Sequence, residues 1–404
     1  MMLVLLMLAA SAAADNWPAW RGADATGYSR EKGLPVKWSP TEHVRWKVPL
    51  PGPGNSTPVV WGDRIFLTQS LDEEGKQRAL LCFRRTDGKE LWRQTVAFHE
   101  KESTHGDNPY CSASPATDGE RVVASFGSAG VLCCDLQGKQ LWRRDLGRFE
   151  HIWGNASSPV LYRDLVILNC GPGERTFLLA LDKKTGQDVW KVEEPGGNYG
   201  TNSSDWLGSW STPVVATVKG REELVMSWPG ALKSYNPRTG DLLWSCKGLT
   251  SLVYTSPLVT PEVIASFSGY GGSCMAVRTG GSGDITETHR LWRVERGPQR
   301  IGSGVVIGDY IYMANEPGTA QCIELRTGKT LWNERLGGSS WGNLVHADGK
   351  LYVTNLQGET FVIGAKPVFE LISRNPIPER TLASIAISNR EIFLRTYQHL
   401  WCIR

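Results

Sequence analysis

The sequence has almost no charge imbalance: 44 lysines and arginines face 41 aspartates and glutamates over 404 residues, a net charge of +3. No basic run is long enough to track a phosphate backbone or an anionic bilayer, so neither nucleic acid nor a charged membrane surface is an expected partner. Long apolar runs are missing as well. The one candidate, residues 3–10, is shorter than the ~20 residues a bilayer-spanning helix needs, so no transmembrane segment is expected. No stretch carries an apolar period of 3.6, which argues for low helix content. G-x-S-x-G, phosphate-loop and paired-carboxylate patterns are absent, so no catalytic residue can be named from a motif.

What is present begins with a leader. Residues 1–14 read as a short secretory signal, with an apolar core and Ala12-Ala13-Ala14 as the small-residue cleavage site before Asp15. No cysteine lies near that site, which argues against a lipid anchor. A periplasmic or secreted location is expected. Nine cysteines in an exported chain raise disulfides as a possibility. Cys82, Cys133, Cys274, Cys322 and Cys402, however, align with a repeat position held elsewhere by Ala180 and Ser234. A position that accepts Cys, Ala or Ser wants a small packed side chain, so these thiols are expected to be structural.

The repeat is clearest at residues 180–190, A-L-D-K-K-T-G-Q-D-V-W. An apolar run ends, Asp and Thr can bond their own backbone, Gly supplies a positive φ, and a second strand restarts at Trp190. Relatives are C-F-R-R-T-D-G-K-E-L-W at 82–92, C-C-D-L-Q-G-K-Q-L-W at 133–142, S-Y-N-P-R-T-G-D-L-L-W at 234–244 and C-I-E-L-R-T-G-K-T-L-W at 322–332. A longer copy opens at Cys274 and reaches Trp292 after an inserted loop. The anchors are Trp46, Trp92, Trp142, Trp190, Trp244, Trp292 and Trp332, with Phe369 as a degenerate eighth. They recur on the scale of a four-stranded propeller blade.

A second signature opens each blade: N-S-T-P at 55–58, S-A-S-P at 112–115, A-S-S-P at 156–159, W-S-T-P at 210–213 and Y-T-S-P at 254–257. Residues 302–305, 341–344 and 382–385 continue the series. The column before Pro then reads Thr57, Ser114, Ser158, Thr212, Ser256, Gly304, Asn343 and Ser384, all small or short and polar, as expected where innermost strands converge on a central channel. Eight matches predict an all-β fold, an eight-bladed β-propeller of four-stranded antiparallel blades over residues 43–404. Residues 15–42 are expected to form an irregular extension. Residues 43–50 carry an anchor without strands of their own, and the C-terminal end supplies strands without one. The N-terminal strand should therefore complete the last blade and leave no open edge.

The A-x-D-x-x-T-G-x-x-x-W hairpin resembles the tryptophan-docking repeat of the pyrroloquinoline-quinone (PQQ) propeller superfamily, over nearly the whole mature chain. That resemblance implies one of two roles: a quinoprotein dehydrogenase holding PQQ and Ca²⁺, or a non-catalytic relative such as the BamB-like outer-membrane assembly factors. A chain of one propeller and little else is more similar to the second group. It lacks the lipid-attachment cysteine of BamB and the C-x-x-C-H haem motif of quinohaemoproteins. Dehydrogenases of this superfamily set an adjacent-cysteine disulfide against PQQ, which draws notice to Cys133-Cys134. On an extended strand those neighbours should instead point to opposite faces as packed thiols. The loop acids Asp107, Asp205 and Asp284 and the amides Asn55, Asn155 and Asn343 match no dehydrogenase ligand spacing. His99, His105 and Asp107 fit no closed zinc pattern, so no metal site is expected.

The residue column two before the small one reads Asn55, Ser112, Ala156, Trp210, Tyr254, Gly302, Trp341 and Leu382. Large aromatics beside a small column suggest a binding funnel at the channel mouth. Loops at 98–111 and 193–210 enter on the same side, the first adding His105, Asp107 and Tyr110; Trp153 and Asn155 lie near the strand start at 156–159, and Arg300 adds a charge. Exposed rings of this kind suit sugar faces, peptide side chains or a planar quinone. The expected function is an exported, non-catalytic binding or scaffold protein for a protein, peptide or glycan of the cell envelope, without a cofactor. The alternatives are a PQQ- and calcium-dependent dehydrogenase with diverged ligands, or a hydrolase or lyase with its site in the funnel.

Overall fold

The computed structural model describes residues 15–197 and 206–404. The leader at 1–14, and Tyr199 and Asp205 in the second long loop, lie outside the described residues. The strands group into eight four-stranded antiparallel blades around a central channel. Blade 1 is Val59–Trp61, Arg64–Ser70, Gln77–Arg84 and Glu90–Ala97. Blades 2 to 7 follow in chain order, and among the described residues regular helix is confined to Thr286–His289 and a 3₁₀ turn at Gly127–Ala129.

Each blade is apolar on both faces of its middle strands, because it is covered by a neighbour on each side. In blade 3, Leu165–Cys170 and Thr176–Asp182 are buried almost throughout. Leu179 and Leu181 face blade 2, whereas Leu178 and Ala180 face blade 4. The hairpin that closes the blade explains the repeat. The Asp182 carboxylate accepts the backbone N–H groups of Lys184 and Thr185 at 3.0 and 2.7 Å, fixing the turn. Gly186 has φ +72°, and a Cβ there would lie 2.7 Å from the indole of Trp142 in blade 2. The same indole donates its Nε1–H to the Lys183 carbonyl at 2.9 Å. So the glycine is required twice, for its backbone and for the ring that lies on it.

The same docking recurs around the ring. Trp46, Trp92, Trp190, Trp292 and Trp332 donate to carbonyls of the next blade's turn, at Arg85, Leu136, Pro237, Leu325 and Lys366, over 2.8–3.1 Å. Trp244 differs. Blade 5 carries the inserted loop in place of the usual turn, and Gly283–Asp284 pairs alongside Trp244 instead. Trp244 donates to the buried Glu223 carboxylate at 2.7 Å. Trp142, Trp190, Trp244 and Trp332 are 7, 8, 1 and 8 % exposed.

Two anchor assignments shift. The residue opposite Trp292 is Ala276, not Cys274, which sits two positions earlier on the same buried face. In blade 7 the tryptophan's place, opposite Val362, is taken by Ser373. Phe369 precedes that strand and packs edge-on against Trp332, with ring centroids 5.2 Å apart. The small repeat position and the inserted loop are both degenerate there, so spacing alone misplaced them by a few residues.

Ring closure is as the sequence predicts. Val44–Pro49 pairs antiparallel with His399–Ile403, Trp46 opposite Cys402, completing blade 8. Two arginines stitch this seam to blade 1. Buried Arg395 donates to Ser56 Oγ at 2.6 Å and to the Thr68 carbonyl at 2.9 Å. Arg85 meets the Glu391 carboxylate at 2.8 Å. The extension links blades 1 and 7: Trp17 exchanges backbone bonds with Val60 of blade 1, and Tyr28–Ser29 pairs in parallel with blade 7 at His346 and Ala347.

Inner strands are tied by a run of seven hydrogen bonds from blade 1 to blade 8, open between Ser384 and Thr57, whose Oγ1 has no partner among the described residues. The backbone N–H of Thr57 donates to Ser114 Oγ, Ser114 to Ser158, Ser158 to Thr212, Thr212 to Ser256, Ser256 to Ser303, Ser303 to Asn343 Oδ1 and Asn343 to Ser384, over 2.7–3.0 Å. The small column therefore joins neighbouring blades. Its blade 6 member is Ser303, not Gly304, because blade 6 has no Pro to mark the register.

Trp190→Ala and Trp332→Ala should each cost ~3–5 kcal/mol through the cavity they leave, and Gly186→Ala at least about 1 kcal/mol through its backbone. Denaturant unfolding followed by far-UV circular dichroism measures this; losses below about 1 kcal/mol at both tryptophans would contradict the docking.

Candidate functional site: an aromatic funnel at the channel mouth

Above this run of bonds the channel opens into a cavity of about 410 Å³. Eight of the expected residues line it: Asn55, His105, Asp107, Trp153, Trp210, Tyr254, Trp341 and Asn343. Strand starts deliver Asn55, Trp210, Tyr254, Trp341 and Asn343, since each blade's first strand enters the channel at that height. The loop after blade 1 brings His105 and Asp107, and the loop before blade 3 brings Trp153.

The rings form one packed wall. Trp210 lies 5.8 Å from Trp153 and 5.1 Å from Tyr254, centroid to centroid, and Trp153 meets Trp206 edge-on at 5.1 Å. Trp210 is pinned by its Nε1–H, which donates to the Gly154 carbonyl at 2.8 Å. Buried His151 stands edge-on behind it at 4.9 Å. On the other side Asn55 Nδ2 donates to the Asp107 carbonyl at 2.8 Å, and the Asp107 carboxylate is paired with Arg380. Across the mouth, Trp341 Nε1–H donates to Glu316 at 3.3 Å. Burial, reinforced by nearby Asp107, holds the Glu316 carboxyl above its ordinary range.

Three expected residues do not reach the cavity. Tyr110 stacks on the Arg78 guanidinium at 4.8 Å and donates to the Glu102 carbonyl at 2.8 Å, bracing the loop against the buried Arg78–Glu102 pair. Asn155 donates to the Glu102 carboxylate at 3.3 Å, one layer behind the wall. Arg300 is turned inward, over Phe267 and towards Gln321 Oε1 at 3.1 Å. In blade 6 Ile301 takes the funnel position expected of Gly302, the same one-residue shift that puts Ser303 in the run of inner-strand bonds.

Sequence reasoning missed Trp20, Asn108, Tyr270, Gln299 and Glu316. Trp20 belongs to the extension, which has no repeat register to place it. Tyr270 and Glu316 lie in the turns after second strands, at Val263–Phe267 and Tyr310–Asn315. The strand register sets Glu316 level with Gly269 and Tyr270 with Pro317, so no repeat column marks either residue.

All nine cysteines are free and buried. Cys133 packs towards blade 3 and Cys134 towards blade 1, and burial pushes both thiols up to about 12. The third loop acid, Asp284, sits outside the ring, bonded to Thr286. Among the described residues no three of His, Cys, Asp and Glu gather as a metal cluster, and no helix is long and apolar enough to cross a membrane.

Fold and cavity together define a class: a tryptophan-docked, eight-bladed propeller with one aromatic funnel above a tied channel. The chain belongs to the family described as outer membrane protein assembly factor BamB, whose family model matches residues 21–166, 76–334 and 283–366. It is 24% identical over 301 residues to outer membrane protein assembly factor BamB of Shewanella oneidensis, covering 68% of this chain and 69% of that protein. Its fold matches the crystal structure of BamB from Moraxella catarrhalis, TM-score 0.62 at 14% identity, over 88% of this chain and 95% of that one. It also matches quinohemoprotein alcohol dehydrogenase from Comamonas testosteroni, TM-score 0.69 at 12% identity, over 98% and 81%. At those identities the two structures show a shared fold.

Burial lowers His151 from 6.5 to about 4, so the folded state prefers the neutral ring. Its stabilising contribution is complete above pH 6.5 and is lost as pH falls towards 4. Between pH 7 and 5 the wild type should lose roughly 1–2 kcal/mol through this group, and His151→Gln should flatten that slope. Chemical denaturation at the two pH values checks it; an unchanged slope would place the titration elsewhere.

Proposed function

We propose that the chain is a non-catalytic binding protein of the cell envelope, which holds a partner protein, peptide or glycan in the funnel. The observation that carries this reading is the wall of rings on a rigid ring of blades. Ring faces with few hydrogen-bond partners are costly to leave in water and suit a ligand that covers them. Membership of an assembly-factor family, together with the secretory leader read at residues 1–14, supports the location and the scaffold role. Two polar groups of the lining are engaged in structure: Asp107 with Arg380, and His105 Nδ1 accepting the Asp107 N–H at 3.2 Å. Nothing in that arrangement pairs a nucleophile with a base.

A PQQ-dependent dehydrogenase is the second reading, and the residues present do not fit the cofactor. PQQ carries three carboxylates and needs cations around it. The lining holds no lysine or arginine, and its charged acids are Asp107 and Glu316. Cys133 and Cys134 lie on opposite faces of one strand, buried between blades, and cannot form a vicinal bridge beside a ligand.

Affinity capture from the source envelope tests the proposal. The wild-type chain should retain a partner, and Trp341→Ala combined with Tyr270→Ala should reduce capture at least tenfold with an unchanged melting temperature. Capture that survives both substitutions would move the binding surface away from the funnel. Adding PQQ and Ca²⁺ should leave the absorption spectrum additive and dye-linked alcohol oxidation at background; saturable quinone binding with turnover would reverse the order of the two readings.

A further inference from the structure

Resting on the binding reading above, the funnel's charge and its unused acceptors narrow the ligand further. Among the described residues the lining brings together six large aromatic residues, two carboxylates and no lysine or arginine. One carboxylate, Asp107, is already neutralised by Arg380. The other, Glu316, is half-buried and receives one long hydrogen bond, 3.3 Å from Trp341 Nε1. Among the described residues no basic side chain lies within ion-pair distance of it. Asn55 adds a buried carbonyl oxygen, Oδ1, with no donor.

Each feature asks the ligand for the same thing. Indole and phenol faces are the negative ends of their quadrupoles and attract a cation placed over them. A carboxylate covered by a neutral ligand stays unpaired and loses its water, which is costly, whereas a cation offsets that loss. An anionic ligand would meet the Glu316 carboxylate, which has no ion-pair partner among the described residues. A neutral sugar would use the rings and the amides but leave the Glu316 charge uncompensated.

We infer that the funnel receives a positively charged organic group, either a lysine or arginine side chain of a partner peptide or a free organic cation, held between the ring faces and the Glu316 carboxylate. Tyr270, 64 % exposed, stands at the entrance as the outermost ring.

The test uses the full chain, followed by tryptophan fluorescence and calorimetry. The probes are acetyl-Gly-Lys-Gly-amide, its arginine and norleucine counterparts, choline, and the neutral sugar maltotriose. The lysine or arginine peptide should bind saturably and at least tenfold more tightly than the norleucine peptide. Glu316→Gln should abolish that preference, and 0.5 M NaCl should weaken the wild type but not the variant. Tyr270→Ala, at an exposed position that leaves the core intact, should weaken cation binding several-fold. Choline matching the peptides would identify a free cation as the source; peptide binding without choline binding would identify a partner side chain. Equal binding of the norleucine peptide, maltotriose binding untouched by Glu316→Gln, or no binding of any cation would overturn the inference. An envelope partner still captured by the Glu316→Gln chain, but lost from the Trp341→Ala and Tyr270→Ala chain, would overturn it while leaving the broader binding reading in place.

Discussion

A four-stranded blade with two apolar faces cannot exist alone, and that constraint shapes everything else in this molecule. Every face must find another blade, and the arrangement ends without exposed faces only when the ring closes. The docking of each indole on the next blade's turn sets the angle at which neighbours meet. Its elements are all local: a turn that presents a carbonyl, a glycine whose missing Cβ admits the ring, and a small residue opposite the tryptophan. Where blade 5 gives up its turn to an insertion, Trp244 finds the buried Glu223 instead, so the bond is kept though the partner changes. An indole N–H left unpaired between blades would carry the desolvation cost of a buried donor.

The ring closes in blade 8, where the N-terminal strand pairs with the last strand. Two of the buried guanidinium groups lie between blades 8 and 1, Arg395 reaching blade 1 carbonyl and hydroxyl oxygens and Arg85 reaching Glu391. Hydrogen bonds to charged donors are the stronger kind, and here they hold non-contiguous parts of the chain together. The chain of inner-strand hydroxyls does the same at the axis. These side chains accept from backbone N–H groups of the neighbouring blade, and two of them, Asn343 and Ser384, also line the cavity.

The funnel is therefore a consequence of the blades' common geometry decorated unequally. Blades 1 to 3 place Asn55, Ser112 and Ala156 at its rim, while blades 4, 5 and 7 place Trp210, Tyr254 and Trp341 there. One wall is aromatic and packed, and the opposite side is polar. Glu316 and Trp341 come from adjacent blades 6 and 7, so a carboxylate with no ion-pair partner among the described residues sits next to a ring. Trp20, arriving from the extension, lines the same cavity and makes a segment outside the repeat part of its wall.

Much of this was legible in the residues. Hairpin and strand-start signatures are short-range patterns, repeated, and each repeat corrects errors in the others; blade number, ring closure and most of the funnel column follow from them. Cys133 and Cys134 as packed neighbours on opposite faces follow from strand alternation alone. Where a repeat was degenerate the register slipped: Ser303 for Gly304, Ile301 for Gly302, Ala276 for Cys274, Ser373 in the place given to Phe369. Without Pro or Trp to mark it, a strand position is decided by which backbone N–H meets which hydroxyl, a contact between residues some 40 apart in the chain. Whether Tyr110, Asn155 and Arg300 face the cavity or the layer behind it depended on long-range partners such as Glu102 and Gln321. Trp20, Tyr270 and Glu316 reach the funnel only because the ring folds three unrelated segments over one axis. Local pattern determined the blades; which side chains share a cavity was settled by closure, since only closure brings sequence-distant positions within contact distance.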